Sequence, residues 1–490
     1  MEPTPRAIDY RQKITPIRPR TSTTRRYPAN IVAETESDRG RIIQSAAIRR
    51  LQQKTQVYPL ETNAAVRSRL THSLEVQQTG RYLAKTILSR LKKQNQLTVL
   101  GLDHLETAFT NLVEMSCLMH DVGNPPMGHF GEATISRWLT KYLPDCCRQA
   151  LRISHINQTS PFFQNTLLPD LCVFEGNAQG LRIIHTLHQL NLTFSQSASL
   201  IKYTRGAWQP RPHFVSAFSY RHKKPGFYFS ERNLIERMGK KLDINEGCRF
   251  PLVYIMEAAD DIAYCIADLE DALDKGILSI AELQYHLHTV WKSLGDPNDC
   301  YLPDIIQSAS REEKNDSFII RLRTRLVKDL VEYSATRYIT QHDAIFHGTF
   351  DEPLIDGSSP CHRALETLKA VAVRYVFNQR EKETPELRGY SALSGLLTLF
   401  KPLLSLPQNA FEDLNKVNDS PYFIEQRLYH RLSKKYKAAY HDRLQQTNYR
   451  FPDKNPNELE WYYRVRLIVD YISGMTDHFV VSEYQSLSAI

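Results

Sequence analysis

The chain has no Cys-x-x-Cys pair, no apolar run near 18 residues, no apolar N-terminal segment, no internal repeat and little strand-type alternation. Cys117, Cys146, Cys147, Cys172, Cys248, Cys265, Cys300 and Cys361 are irregularly spaced. That spacing reads as reduced, mostly buried thiols in a reducing compartment, and so as a cytoplasmic protein. The missing apolar run argues against a membrane span, and the missing N-terminal segment against a secretory signal. Hydrophobic residues at 42% and charged residues at 24% exclude wholesale disorder, collagen and a coiled-coil fibre.

What is present is a chain of 490 residues. That length allows roughly two to four domains, or one large core with appendages, and needs no disulfide or structural metal to stabilise it. Charge is +8, from 62 basic and 54 acidic residues. A mild basic excess suits an anionic partner, and equally an ordinary solvated surface. Arg18, Pro19, Arg20, Arg25 and Arg26 predict a mobile basic arm within residues 1–33.

Helical periodicity covers most of the remainder and predicts an all-α fold with at most a small β element. Helices are expected over about 71–91, 107–121, 174–192, 252–275 and 458–471. The second stops at Val122-Gly123, and Pro125-Pro126 forbids its continuation. Residues 205–231 mix Gly, Pro, aromatic and basic types and predict an irregular loop or short hairpin. Gly295 to Asp299 marks a boundary between a core of 34–300 and a C-terminal helical region of 301–490. Further loops are expected over 347–363 and 452–457.

His72, the pair His120-Asp121 and Asp260 each fall on a predicted helix. Two imidazoles and two carboxylates suit a divalent transition metal or Mg²⁺, leaving open positions for water and a phosphate oxygen. Any one of these residues alone is an ordinary helix residue. However, His120-Asp121 ends an apolar helix and runs straight into the polar-glycyl loop 123–129. Asp260, Tyr264 and Asp268 share one helical face at i, i+4 and i+8, flanked by apolar residues. A buried polar stripe of this kind needs a partner.

Taken in order, the motifs resemble a family. His72, His120-Asp121 and Asp260 match the signature of the HD-domain phosphohydrolases, with the HD motif region over about 69–274. Arg69-Leu70-Thr71-His72, His120 to Pro126, Gly128 to Glu132, Phe174 to Gln179 and Tyr471 to Asp477 resemble the deoxyguanosine triphosphate triphosphohydrolases more narrowly. The similarity runs from about Glu36 to near the C-terminus.

That resemblance implies metal-dependent hydrolysis of dGTP, or of other deoxynucleoside triphosphates, to the deoxynucleoside and inorganic triphosphate. It implies that His72, His120, Asp121 and Asp260 hold Mg²⁺ or Mn²⁺, and that His129 and Glu132 form a catalytic pair. It places Gln56 and Asp268 at the sugar 3′-hydroxyl and Tyr264 under the deoxyribose. Arg69, Lys202 and Tyr203 fall at the phosphates, and Asn124 joins the substrate-binding set. Lys223 and Lys224 are further phosphate candidates, equally readable as solvated loop residues. Arg427 is a candidate for the base, although a surface arginine reads the same way. Single-stranded DNA and a hexameric homo-oligomer are the implied partners, with no membrane. The alternatives are another HD enzyme (a 5′-nucleotidase or phosphodiesterase) and a single-stranded nucleic-acid-binding protein with an HD shell.

Overall fold

Helices carry most of the chain, with irregular stretches between them. The computed structural model describes residues 7–20, 30–212, 218–310, 318–416 and 421–489. The helices that frame the site are α1 (Ile31–Ile43), α2 (Ala46–Leu51), α3 (Arg69–Lys93), α4 (Glu106–Met119), α5 (Gly128–Leu151) and α6 (Gly176–Arg182). They continue with α7 (Arg232–Leu242), α8 (Val253–Asp274), α9 (Phe318–Thr340) and α10 (Arg380–Ser405). α11 (Phe423–Arg431), α12 (Lys434–Arg450), α13 (Pro456–Ser473) and α14 (Asp477–Ser488) complete the set.

Local chemistry explains the starts. Ser68 caps α3 reciprocally: its hydroxyl accepts from the Thr71 N–H, while the Thr71 hydroxyl accepts from the Ser68 N–H. The buried face of α3 then carries His72, Val76, Leu83, Ile87 and Leu91, so His72 sits on the stripe that faces the core.

Two apolar cores result, and α4 feeds both. Phe109, Leu112, Val113 and Cys117 pack with α3, α8 and α9 in the first. Met115, Leu118 and Met119 pack with α5, α10 and α13 in the second. The end of α4, where His120-Asp121 sits, therefore lies where the two cores meet. The turn at 295–299 does not divide them. Leu302 to Val376 contribute to the first core and α10 to α14 to the second, so the region 301–490 feeds both.

Three local differences from the sequence reading stand out. The helix expected over 174–192 is regular α only in α6, then loosens into a π turn over Ile183–Leu187. Gln189 and Asn191 follow with φ of 50° and 51°, which ends any helix. The 205–231 stretch holds β1 (Arg205–Gly206) and β2 (Pro225–Phe227), paired in parallel rather than as a hairpin. Residues 7–20 do not stand away from the body. The Tyr10 hydroxyl is buried 2.7 Å from that of Tyr338 and 2.9 Å from His342 Nε2, and Arg18 pairs with Glu34 and Asp38. Arg25 and Arg26 lie outside the described residues. Among those described, no helix is long and apolar enough to cross a membrane.

Candidate active site

Three elements converge at the end of α4. α3 delivers His72, which is fully buried, His120 is the C-cap of α4, and α8 delivers Asp260. Both His72 Nε2 and His120 Nε2 stand 3.4 Å from Asp260 Oδ1, and the ligand atoms of all three lie within 4.8 Å of one another. His120 Nδ1 lies 2.7 Å from the Cys117 carbonyl, an acceptor only, so Nδ1 carries a hydrogen and Nε2 is the atom turned to the cluster.

Burial lowers the affinity of His120 for a proton, but Asp121 and Asp260 outweigh it and raise its pKa to about 9. Burial raises Asp260, yet His120, His72 and Lys202 hold it well below the usual carboxylate range. The donor set fits a divalent cation: two imidazole Nε2 atoms and an ionised carboxylate face one point, and a bound cation would take the place of the proton that His120 Nε2 otherwise carries.

Asp121 is the fourth expected member, and it stands slightly apart. Its Oδ2 accepts from Arg69 Nη1 at 2.6 Å and its Oδ1 from the Asn124 amide at 2.6 Å, with His120 Nε2 3.6 Å away. Arg69 thus occupies Oδ2, while Oδ1 is the oxygen that faces His120. Burial raises the Asp121 pKa, and His120 and Arg69 bring it down to about 2. Arg69 in turn lies against Gly128, whose φ is +55°; a Cβ there would fall 2.5 Å from the guanidinium. Glycine lets the start of α5 pass over the arginine.

The first turn of α5 presents His129 and Glu132. His129 Nδ1 donates to Glu132 Oε2 at 2.6 Å, and Glu132 Oε1 accepts from the Gly176 N–H at 2.7 Å. A Cβ at Gly176 would fall 2.1 Å from Asn124 Oδ1 and 2.7 Å from Glu132 Oε1, so only glycine brings this N–H to the carboxylate. Burial raises the Glu132 pKa, but the hydrogen bond and charge of His129 bring it below the ordinary value. The His129 side chain is 78% exposed, held at one nitrogen and open at the other.

A cleft of about 290 Å³ joins these groups; Gln56, Arg69, Asp121, Asn124, His129, Asp260 and Tyr264 all line it. The Tyr264 ring stands 6.3 Å from that of His72, edge-on. Asp268 is buried one helical turn further along α8. Neither of its oxygens makes a hydrogen bond within 3.5 Å, the Tyr264 hydroxyl being the donor that faces it, and buried Gln56 Oε1 has no partner either. Burial drives the Asp268 pKa well above the carboxylate range. Lys202 approaches from behind, its Nζ 3.7 Å from Asp260 Oδ2, and Tyr203 is buried beside it. Lys224 pairs with Glu175 at 3.4 Å. Arg427 is not brought to the cleft. It is exposed on α11 and donates to the Phe423 carbonyl of its own helix.

Comparison with known proteins decides the family. The deoxyguanosinetriphosphate triphosphohydrolase of Yersinia pseudotuberculosis serotype O:3 (strain YPIII) is 45% identical over 505 residues, covering 98% of this chain and 99% of that one. The protein of the same name from Cronobacter sakazakii (strain ATCC BAA-894) is 45% identical over 514 residues, covering 99% of each. The chain belongs to the deoxyguanosinetriphosphate triphosphohydrolase family. Residues 422–486 match a phosphohydrolase-associated domain.

That matched segment contains a residue whose position the sequence did not reveal. Asp477, at the start of α14, accepts from the Thr55 N–H at 2.8 Å, the Thr55 hydroxyl at 2.6 Å and the Met127 N–H at 3.1 Å. One carboxylate thus fixes the neighbours of Gln56 and of Gly128. Lys54 works beside it, buried, with Nζ 2.5 Å from the Asn124 carbonyl. Burial and the positive charges of Arg69 and Arg50 lower its pKa to about 7 against the pull of Asp477 and Asp121. Asp477 stands in a quoted motif, which was the available signal. Lys54 had none, and neither had Phe377, Lys382 and Glu386, which close the cleft from the C-terminal half.

Proposed function

We propose that this chain hydrolyses dGTP to deoxyguanosine and inorganic triphosphate, with a divalent cation, Mg²⁺ or Mn²⁺, held by His72, His120, Asp121 and Asp260. The observation that carries this reading is the convergence of the His72, His120 and Asp260 ligand atoms within 4.8 Å in a cleft shared with Arg69, His129 and Tyr264. It occurs in a chain 45% identical to proteins named for that reaction. When bound, the cation supplies Lewis-acid stabilisation of the α-phosphoryl oxygens.

The residues of the chain divide the remaining work. Arg69, in the cleft, and Lys202, 3.7 Å from Asp260, would supply positive charge to a triphosphate of about four negative charges. Water attacks the α-phosphorus, the bond to the 5′-oxygen breaks, and that oxygen must gain a proton while the water loses one. His129 can move a proton at Nε2, because Glu132 holds Nδ1 and supports the imidazolium. Asp268 and Gln56 offer buried oxygens with no hydrogen bond within 3.5 Å to a sugar hydroxyl. The Tyr264 ring is the wall against which a ribose 2′-hydroxyl would collide. Single-stranded DNA binding and a hexameric assembly belong to the same reading, resting on the family resemblance.

Product analysis in ¹⁸O water with dGTP, the other dNTPs and GTP tests the proposal. Deoxyguanosine and labelled triphosphate in equal amounts are expected. Orthophosphate or pyrophosphate released stepwise would replace it with a nucleotidase or phosphodiesterase reading. Salt-dependent DNA binding without turnover would replace it with a binding protein.

A further inference from the structure

A second cleft lies away from the metal cluster, between α7, α12 and the π turn after α6. Its volume is about 220 Å³, below the roughly 300–1,000 Å³ usual for drug-sized ligands. Three guanidiniums line it, those of Arg20, Arg237 and Arg443, with His185 and the Asn233 amide. Arg20 donates to Gln189 Oε1 at 2.7 Å, Arg237 to the Pro19 carbonyl at 2.7 Å and Arg443 to the Thr186 hydroxyl at 2.7 Å. None of the three has a carboxylate partner among the described residues. Asp442 is the one acid in the lining, and it is exposed. Glu231, nearby, is already engaged by Arg182, Thr186 and Ser230. Burial together with the charges of Arg443, Arg20 and Arg237, which line the cleft with it, pushes His185 down to about 3, so the imidazole adds no charge of its own.

Three guanidiniums with no carboxylate partner among the described residues, lining one small cleft, form a receptor for an oxyanion. We infer that this cleft binds a small polyphosphate anion of the pyrophosphate or triphosphate class, at a site separate from the metal cluster. The lining holds no Phe, Tyr or Trp on which a base could stack, which favours linked phosphoryl groups over a nucleotide or a nucleic-acid strand. The inference does not depend on the proposed hydrolysis, since none of its residues belongs to the catalytic cleft.

Calorimetric titration of the full chain with inorganic pyrophosphate, in chelator, tests it. The Arg69→Ala variant, weakened in the catalytic cleft, is expected to keep one pyrophosphate site. Adding Arg20→Ala and Arg237→Ala, both at exposed positions, is expected to weaken that site at least about ten-fold. Should Arg69→Ala not fold, the same pair in the otherwise native chain is expected to reduce two sites to one. Absence of binding to folded Arg69→Ala, or unchanged binding in the paired variants, would overturn the inference. So would binding of an oligothymidylate in preference to pyrophosphate at equal phosphate concentration.

Discussion

Asp268 is 1% exposed, with only the Tyr264 hydroxyl turned to it and no hydrogen bond within 3.5 Å. An acid whose pKa is raised on folding costs nothing below its ordinary value of 3.8, and the cost grows as pH rises toward the folded value. Each unit of upward shift is worth about 1.4 kcal/mol. Asp268→Asn is therefore expected to raise the melting temperature at neutral pH, with the gain fading as pH falls toward 4, while weakening dGTP turnover. Equal stabilisation at all pH values would remove the burial explanation. At His129, loss of the ring is expected to lower kcat by about 10²–10⁴ with KM little changed. A change confined to KM would take His129 out of the chemistry. Tyr264→Ala is expected to raise GTP turnover relative to dGTP, and an unchanged ratio would count against the ring as the wall. The sequence exposed these residues because spacing along one helix fixes a shared face. It could not show Arg69 engaging the Asp121 carboxylate, since that depends on a side chain from α3 reaching the end of α4.

Helices were legible where periodicity was strong. α3, α4, α8 and α13 fall close to their expected spans because each buries an apolar face that repeats at the helical period. The π turn and the parallel strand pair were not legible, since each is selected by tertiary packing rather than local pattern. The clasp made by Asp477 was hidden for a different reason, because its partner Thr55 lies 422 residues away. Asp477→Ala leaves the Thr55 and Met127 amides without their acceptor at the start of α14 and α5. A loss of about 2–4 kcal/mol of stability is expected, measurable by denaturant melts. A fall in kcat of at least about ten-fold should accompany it, because Gln56 and His129 lose their anchors. Stability lost with full activity retained would make the clasp purely structural.

Over the whole molecule, the site sits where two apolar cores meet at the end of α4, and the C-terminal half supplies part of both. The composition shift at 295–299 was readable, but it marks a surface turn and not a separation of cores. A cation bound only by the folded chain stabilises it by mass action, about 2.7 kcal/mol at a hundred-fold excess over Kd. Stripping the metal is therefore expected to lower the melting temperature, with Mn²⁺ restoring it in the native chain and not in Asp260→Ala. The most direct test is to count the metal: titrate stripped native chain, His72→Ala and Asp260→Ala with Mn²⁺ while following deoxyguanosine release from dGTP. One equivalent per chain with turnover is expected for the native protein, and neither binding nor turnover for the two variants. Full turnover in chelator, or a bound equivalent in both variants, would contradict a cation held between α3, α4 and α8.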